Sequence, residues 1–251
     1  MELRESRPGG CDGHGLMWEI TDKWRPPRGS SAGPIAVQRV GAPHELGLAK
    51  ERNKEQEKLA SDLAAVAGVR VPRVELDTIK DQGNTLYAIS RVHGTDSTDL
   101  RFVREKAAEA FKSAAVQDAV KRASGLAAFY AWIGTSDFKD AHLVLDREAD
   151  GTYHVSGVDF EFSFDWRDHP SGVKVIGVGI PPAMSDDEEK NIDKARVSEV
   201  VAAITALTDE QIRQVVSASP IPEEQSKRIA DGLMARRDLL KARLKGRGWL
   251  N

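Results

Sequence analysis

The chain has 251 residues, 36 basic and 39 acidic, for a formal net charge of -3; without a basic excess, no partnership with nucleic acid or an anionic membrane is expected. A single cysteine, Cys11, excludes an intrachain disulfide and supplies no metal-ligand cluster. No apolar run approaches the roughly 20 residues that span a bilayer, and the opening "MELRESRPGG" lacks the apolar core of a signal peptide, so a cytoplasmic setting is expected.

The first strand signal is "GLMWEITDKW". After it "RPPRGSSAGP", with three Pro and two Gly in ten residues, reads as a loop. "IAVQRV" is a second, largely apolar strand. From about Glu51 the pattern turns helical: Leu59, Leu63, Val66 and Ala67 fall on one stripe, and Gly68 ends it. "VRVPRVELD" and "NTLYAISRV" read as two strands joined by "TIKDQG". The remainder is mostly helical. "DLRFVREKAAEAFKSA" and "VQDAVKRASGLAAFYAWI" are two helices, the second closed by Gly134. Ser185 with Glu188, and Thr208 with Gln211, have the spacing of capping boxes. A last helix, "EEQSKRIADGLMARRDLLKARLKG", carries Ile229, Leu233, Leu240 and Leu244 on a core-facing stripe. The order predicts an α+β, bilobal fold: a small β-rich lobe over residues 1–94, a helical lobe over 95–251, and a ligand cleft between them.

Between the helices, "TSDFKDAHLVLD" and "TYHVSGVDFEFSF" form a strand pair turned by "READG". Antiparallel strands lie roughly 4.8 Å apart, so a hairpin folding near Ala149 returns Asp159 to the neighbourhood of residues 139–142. Asp137, His142 and Asp159 therefore converge. Phosphoryl transfer needs such a set, one carboxylate to orient the attacking hydroxyl and another for the metal that bridges the nucleotide phosphates. Taken singly, Asp137 is a turn acid, His142 a structural histidine, and Lys139 and Asp140 solvated loop residues. An acid inside "GVDFEFSF" needs a partner or a metal if buried. Gly29, Ser30, Ser31 and Gly33 can wrap phosphates with their backbone amides, or simply join two strands.

In these motifs the chain resembles the protein-kinase-like superfamily, and more closely its HipA-like and phosphatidylinositol-kinase-like branch. The resemblance puts Asp137 at the catalytic-loop acid, His142 where a metal-binding Asn is expected, and Asp159 of "VDFE" at the metal-binding Asp. It gives Lys139 the neutralisation of phosphate charge and Glu57 the role of the helix acid. A nucleotide-binding lysine is expected in the strand after the Gly-rich loop, where "IAVQRV" offers Gln38 and Arg39. Lys50 is the nearest downstream lysine, and the seven residues to Glu57 are about two turns, so both share a face if the helix starts that early. Adenine would lie against backbone groups near Ser90–Val92. The implied cofactors are ATP with Mg²⁺ or Mn²⁺, because imidazole at His142 is softer than Mg²⁺ prefers. The implied function is a kinase acting on a protein or small-molecule hydroxyl. The alternatives are a nucleotide-binding pseudokinase serving as a regulatory module, and a binding protein in which these acids are only polar strand ends.

Overall fold

The computed structural model describes residues 18–22, 34–91, 96–135, 142–160, 163–164 and 192–246. The small lobe is one antiparallel sheet of five strands: β1 (Trp18–Ile20), β2 (Ile35–Arg39), β3 (Ala42–Lys50), β4 (Val74–Thr78) and β5 (Leu86–Arg91), in the order β1-β2-β3-β5-β4. Helix α1 (Lys54–Val66) connects β3 to β4 and packs on β4 and β5. Strand β3 is an element that the sequence pattern conceals. Pro43 and Gly47 weaken its strand signal, yet Gly47 is where the sheet needs no side chain. A Cβ there would stand 2.8 Å from Ile89 Cγ2 and 3.1 Å from the Trp18 ring. Trp18, fully buried, closes a small core with Val37, Ala49, Ile79, Tyr87 and Ile89 on this face.

Lys50, the last residue of β3, thus belongs to a strand rather than to the helix. The helix begins at Lys54 behind Asn53, whose φ of 51° is the left-handed turn that Asn tolerates. Along α1, Leu59, Leu63 and Ala67 are buried as their spacing predicts, whereas Val66 is 41 % exposed. Residue 66 falls about 20° to one side of Leu59, whereas the buried arc extends to the other side through Leu63, Ala67, Ala60 and Ala64, so Val66 stands at its edge. Ser61 joins α1 to the sheet: its Oγ accepts from Val74 N at 3.0 Å and donates to Pro72 O at 3.1 Å.

The larger lobe contains a second antiparallel sheet, β6 (Asp96–Asp99), β7 (Leu143–Arg147) and β8 (Tyr153–Gly157), in that order. The first predicted helix of this lobe is instead β6 followed by α2 (Leu100–Lys106) and α3 (Ala108–Phe111), separated at Ala107, which leaves the helical region with φ −135° and ψ 50°. The second divides into α4 (Ala114–Arg122) and α5 (Gly125–Ile133). Ser124 interrupts it, its hydroxyl donating to Lys121 O and accepting from Asp193 N. Gly134, at φ 70°, caps α5 as expected. The lobe is completed by α6 (Lys194–Ala206), α7 (Asp209–Ala218) and α8 (Glu223–Gly246). Every residue of α5 is buried, so this helix is the axis around which the main core is built. The boundary at residue 94 and the Ser185–Glu188 box lie outside the described residues.

The predicted box at Thr208 forms in full: Thr208 Oγ1 accepts from Gln211 N at 3.1 Å, and Gln211 Oε1 accepts from Thr208 N at 2.9 Å. Thr208→Ala should cost about 1 kcal/mol, the usual effect of losing such a cap. Urea unfolding of the two proteins measures it, and an unchanged midpoint would show that the cap adds nothing here. Among the described residues no helix is long and apolar enough to cross a membrane.

Candidate functional site at the junction of the lobes

Three elements meet at one ammonium group. Lys50 Nζ donates to Glu57 Oε1 at 2.8 Å and to Asp159 Oδ1 at 2.8 Å. The lysine comes from the end of β3, the glutamate from the first turn of α1, and the aspartate from two residues beyond β8. Lys50 and Glu57 therefore do meet, but across the strand-to-helix connection rather than along one helix face. The alternation in "LGLAK" explains the lysine's direction. Leu46, Leu48 and Lys50 share one side of the sheet, opposite Gly47 and Ala49.

Register in the hairpin is as predicted. Leu143 pairs with Gly157, and Val158 N donates to His142 O at 2.8 Å, so Asp159 emerges beside His142. His142 Nε2 stands 3.4 Å from Asp159 Oδ2. The two carboxylate oxygens of Asp159 thus face different partners, Lys50 and His142. Asp159 itself adopts φ 65°, a left-handed conformation sparsely populated outside glycine and held here by its surroundings.

Burial and charge oppose one another in this cluster. Burial acts against the Lys50 charge, but Glu57 and Asp159 outweigh it and hold the ammonium pKa above its ordinary value. For Glu57 burial wins: it pushes the carboxyl upward, and Lys50 and the Phe160 N–H pull it only part of the way back. Phe160 N donates to Glu57 Oε1 at 3.1 Å, so one carboxylate oxygen takes both the ammonium and the backbone that follows Asp159.

An aromatic wedge fixes that backbone. The Phe160 ring stacks on Tyr130 with centroids 5.4 Å apart and meets Phe129 edge-on at 6.1 Å, both from α5. Tyr130 Oη donates to Val158 O at 3.3 Å. Ser163 and Phe164 lie against the end of α5. Phe164 N donates to Ile133 O at 3.2 Å, and the Ser163 and Thr135 hydroxyls lie 2.7 Å apart. Phe129, Tyr130 and Phe160 escaped the sequence reading. Their signal was present in "LAAFYAWI" and "VDFEF", but a run that is apolar all round does not reveal which rings meet.

Other sequence candidates lie elsewhere. Ser90, paired with Leu48, is on the Lys50 side of the sheet. Gln38 is on the same side but donates to Glu19 at 2.7 Å and accepts from Thr21 at 3.2 Å. Arg39 lies over the Trp18 ring at 5.6 Å and pairs with Glu45 at 2.9 Å. Neither side chain is brought to Lys50. Gly29, Ser30, Ser31, Gly33, Val92, Asp137, Lys139 and Asp140 lie outside the described residues. In sequence, Asp137 falls between Thr135, at the end of α5, and His142, at the start of the hairpin. Among the described residues no three His, Cys, Asp or Glu side chains gather as a metal-binding group.

No family model and no curated protein sequence matches the chain. Solved structures do. The Helicobacter pylori proinflammatory kinase CtkA superimposes with a TM-score of 0.56 at 13% identity, over 90% of this chain and 95% of that one. The fold is protein-kinase-like. Another match is HipA of Shewanella oneidensis MR-1, from a complex with HipB and operator DNA, with a TM-score of 0.47, 12% identity, and coverage of 88% and 66%. At these identities the likeness to CtkA establishes architecture, and the chemistry has to be argued from the residues.

Proposed function

We propose that the chain transfers the terminal phosphoryl group of ATP to a hydroxyl of a protein or small molecule. The observation that carries this reading is the single ammonium of Lys50 held at 2.8 Å by both Glu57 and Asp159. Glu57 would hold Lys50 ready for the phosphate oxygens of the nucleotide, and Asp159 shares the same ammonium. Adenine would rest against the backbone near Ser90 and Val92, and the amides of Gly29, Ser30, Ser31 and Gly33 would cover the phosphates. Asp137 would orient the acceptor hydroxyl, and Lys139 would offset charge on the moving group.

The donor set beside Lys50 suits a divalent cation. Mg²⁺ is commonly held by one or two carboxylates together with substrate phosphates and water, and Asp159 provides one such carboxylate. His142, within reach of the same carboxylate, suits Mn²⁺ better. When bound, the metal would neutralise charge on the phosphates. A second reading, nucleotide binding without transfer, has its own support: both Asp159 oxygens already face protein partners, Lys50 and His142.

Calorimetric titration of ATP with Mg²⁺ or Mn²⁺ tests both readings. Asp159→Asn, still folded by circular dichroism, is expected to lose metal-dependent ATP binding by at least about tenfold, the loss of one charged contact. Binding indifferent to metal and to the substitution would favour the regulatory reading. No binding in either metal would sink both.

A further inference from the structure

We propose a second ligand site, remote from Lys50 in its residues: a pocket for a phosphate-sized oxyanion enclosed by three arginines. A cleft of about 220 Å³ lies between the turn after α1, the α4–α5 junction, β8 and the first turn of α6. Arg70, Arg122, Arg196 and His154 line it with apolar neighbours such as Val155 and Val200, and none of its lining residues is Asp or Glu. The arginines come from three separate elements. Three arginine side chains along one cleft concentrate positive charge at its walls, which favours an anion between them.

The acids that partner these arginines sit outside the cleft. Arg70 pairs with Glu148 at 2.5 Å, Arg122 with Asp118, and Arg196 with Glu199. Their guanidinium-bearing side chains remain 39, 43 and 45 % exposed. Ion pairs that accessible are weak and exchangeable. Arg122 is held in addition by its Nη2 donating to Tyr153 O at 2.9 Å, which fixes it along β8. Arginine's planar fork matches the oxygens of a phosphate in pairs, which lysine cannot do.

Size narrows the ligand. The cleft is smaller than the roughly 300–1,000 Å³ of sites for drug-sized molecules, so it suits a phosphate group on a short stem rather than a nucleotide. Its position gives occupancy a structural effect. Arg70 is in the turn between α1, which carries Glu57, and β4, and its carbonyl accepts from Gly157 N of β8 at 3.5 Å. An oxyanion bridging Arg70 to Arg122 and Arg196 would tie the small lobe to the helical lobe.

The test titrates inorganic phosphate and doubly capped O-phosphoserine into the full chain at low salt. Readouts are calorimetry and the thermal midpoint, which a ligand specific to the folded state raises. Saturable binding tighter than about 1 mM is expected. Arg122→Gln/Arg196→Gln should weaken it at least about tenfold, through loss of charge-assisted contacts. Lys112→Gln/Lys241→Gln removes the same charge from exposed sites elsewhere and should leave binding unchanged. Tighter capture of phosphoserine would identify a phosphorylated side chain as the source, and equal binding a free phosphate. Equal loss in the two double variants, loss in neither, or no saturable binding would overturn the site. Because Lys50, Glu57 and Asp159 are untouched, these outcomes are independent of whether the chain transfers phosphate.

Discussion

Lys50→Met is expected to lower folding stability by about 3 kcal/mol, at the low end for breaking a buried pair, and any phosphotransfer at least about a hundredfold. The lower stability figure follows from exposure: Glu57 is 3 % exposed, but Lys50 and Asp159 are 21 and 22 %. Methionine keeps the volume and removes the charge, so Glu57 is left buried without its counter-ion. Its carboxyl, already pushed up by burial, rises further. A carboxyl whose folded pKa exceeds its unfolded one favours folding below the unfolded value, about 4.3, and loses that contribution as pH rises through the folded value. The deficit of Lys50→Met should therefore be small near pH 4 and full at neutral pH. In the native protein Lys50 is raised as well. Its contribution is complete below the ordinary lysine pKa, about 10.4, and disappears only in more alkaline solution. Adding Glu57→Gln to Lys50→Met should restore stability at neutral pH, because it removes the stranded charge. Urea unfolding across this pH range measures these differences. A deficit constant with pH, or a double variant no better than Lys50→Met, would mean that packing rather than charge sets the effect.

What the sequence makes legible here is periodicity and short-range geometry. The hairpin carrying Asp159 obeys an alternation of two, so its return beside His142 follows from counting residues. Glu57 meeting Lys50 could be anticipated only through resemblance, because β3 hides behind Pro43 and Gly47 and the helical pattern that begins about Glu51 leaves Lys50 without an evident strand. The alternation of Leu46, Leu48 and Lys50 was the available clue. Arg39 illustrates the opposite failure. It occupies a plausible strand position, but Trp18 and Glu45, close to it only in the folded sheet, draw it to the other face. The aromatic wedge depends on contacts between residues 129–130 and 160, and composition cannot fix such pairings.

Arg236 was hidden in the same way, and its loss should have the second large effect. On α8 the buried residues Ile229, Leu233, Leu240 and Leu244 leave a gap in their stripe, and residue 236 fills it. Arg236 is wholly buried, with Nε donating to Trp132 O at 2.7 Å and Nη2 donating to Ala131 O. Those carbonyls belong to the last turn of α5, where acceptors lack partners within the helix and a cation is favoured by the helix dipole. Trp132 Nε1 returns a hydrogen bond to Leu233 O at 3.0 Å, so α5 and α8 are joined in both directions. Arg236→Ala should cost about 4 kcal/mol, combining charge-assisted hydrogen bonds of about 1.5–3 kcal/mol each with the cavity left behind. Arg236→Met separates the two contributions. It fills most of the space, yet leaves the Ala131 and Trp132 carbonyls buried without this donor, so it should recover only part of the loss. The same carbonyls end the helix that leads through Gly134 and Thr135 to Asp137. If the hydrogen bonds set the position of that segment, Arg236→Met should keep ATP affinity while phosphate transfer falls. Native-like stability in Arg236→Met would show that Arg236 acts by volume alone, and a parallel fall in ATP binding would place its effect on the whole fold rather than on the segment after α5.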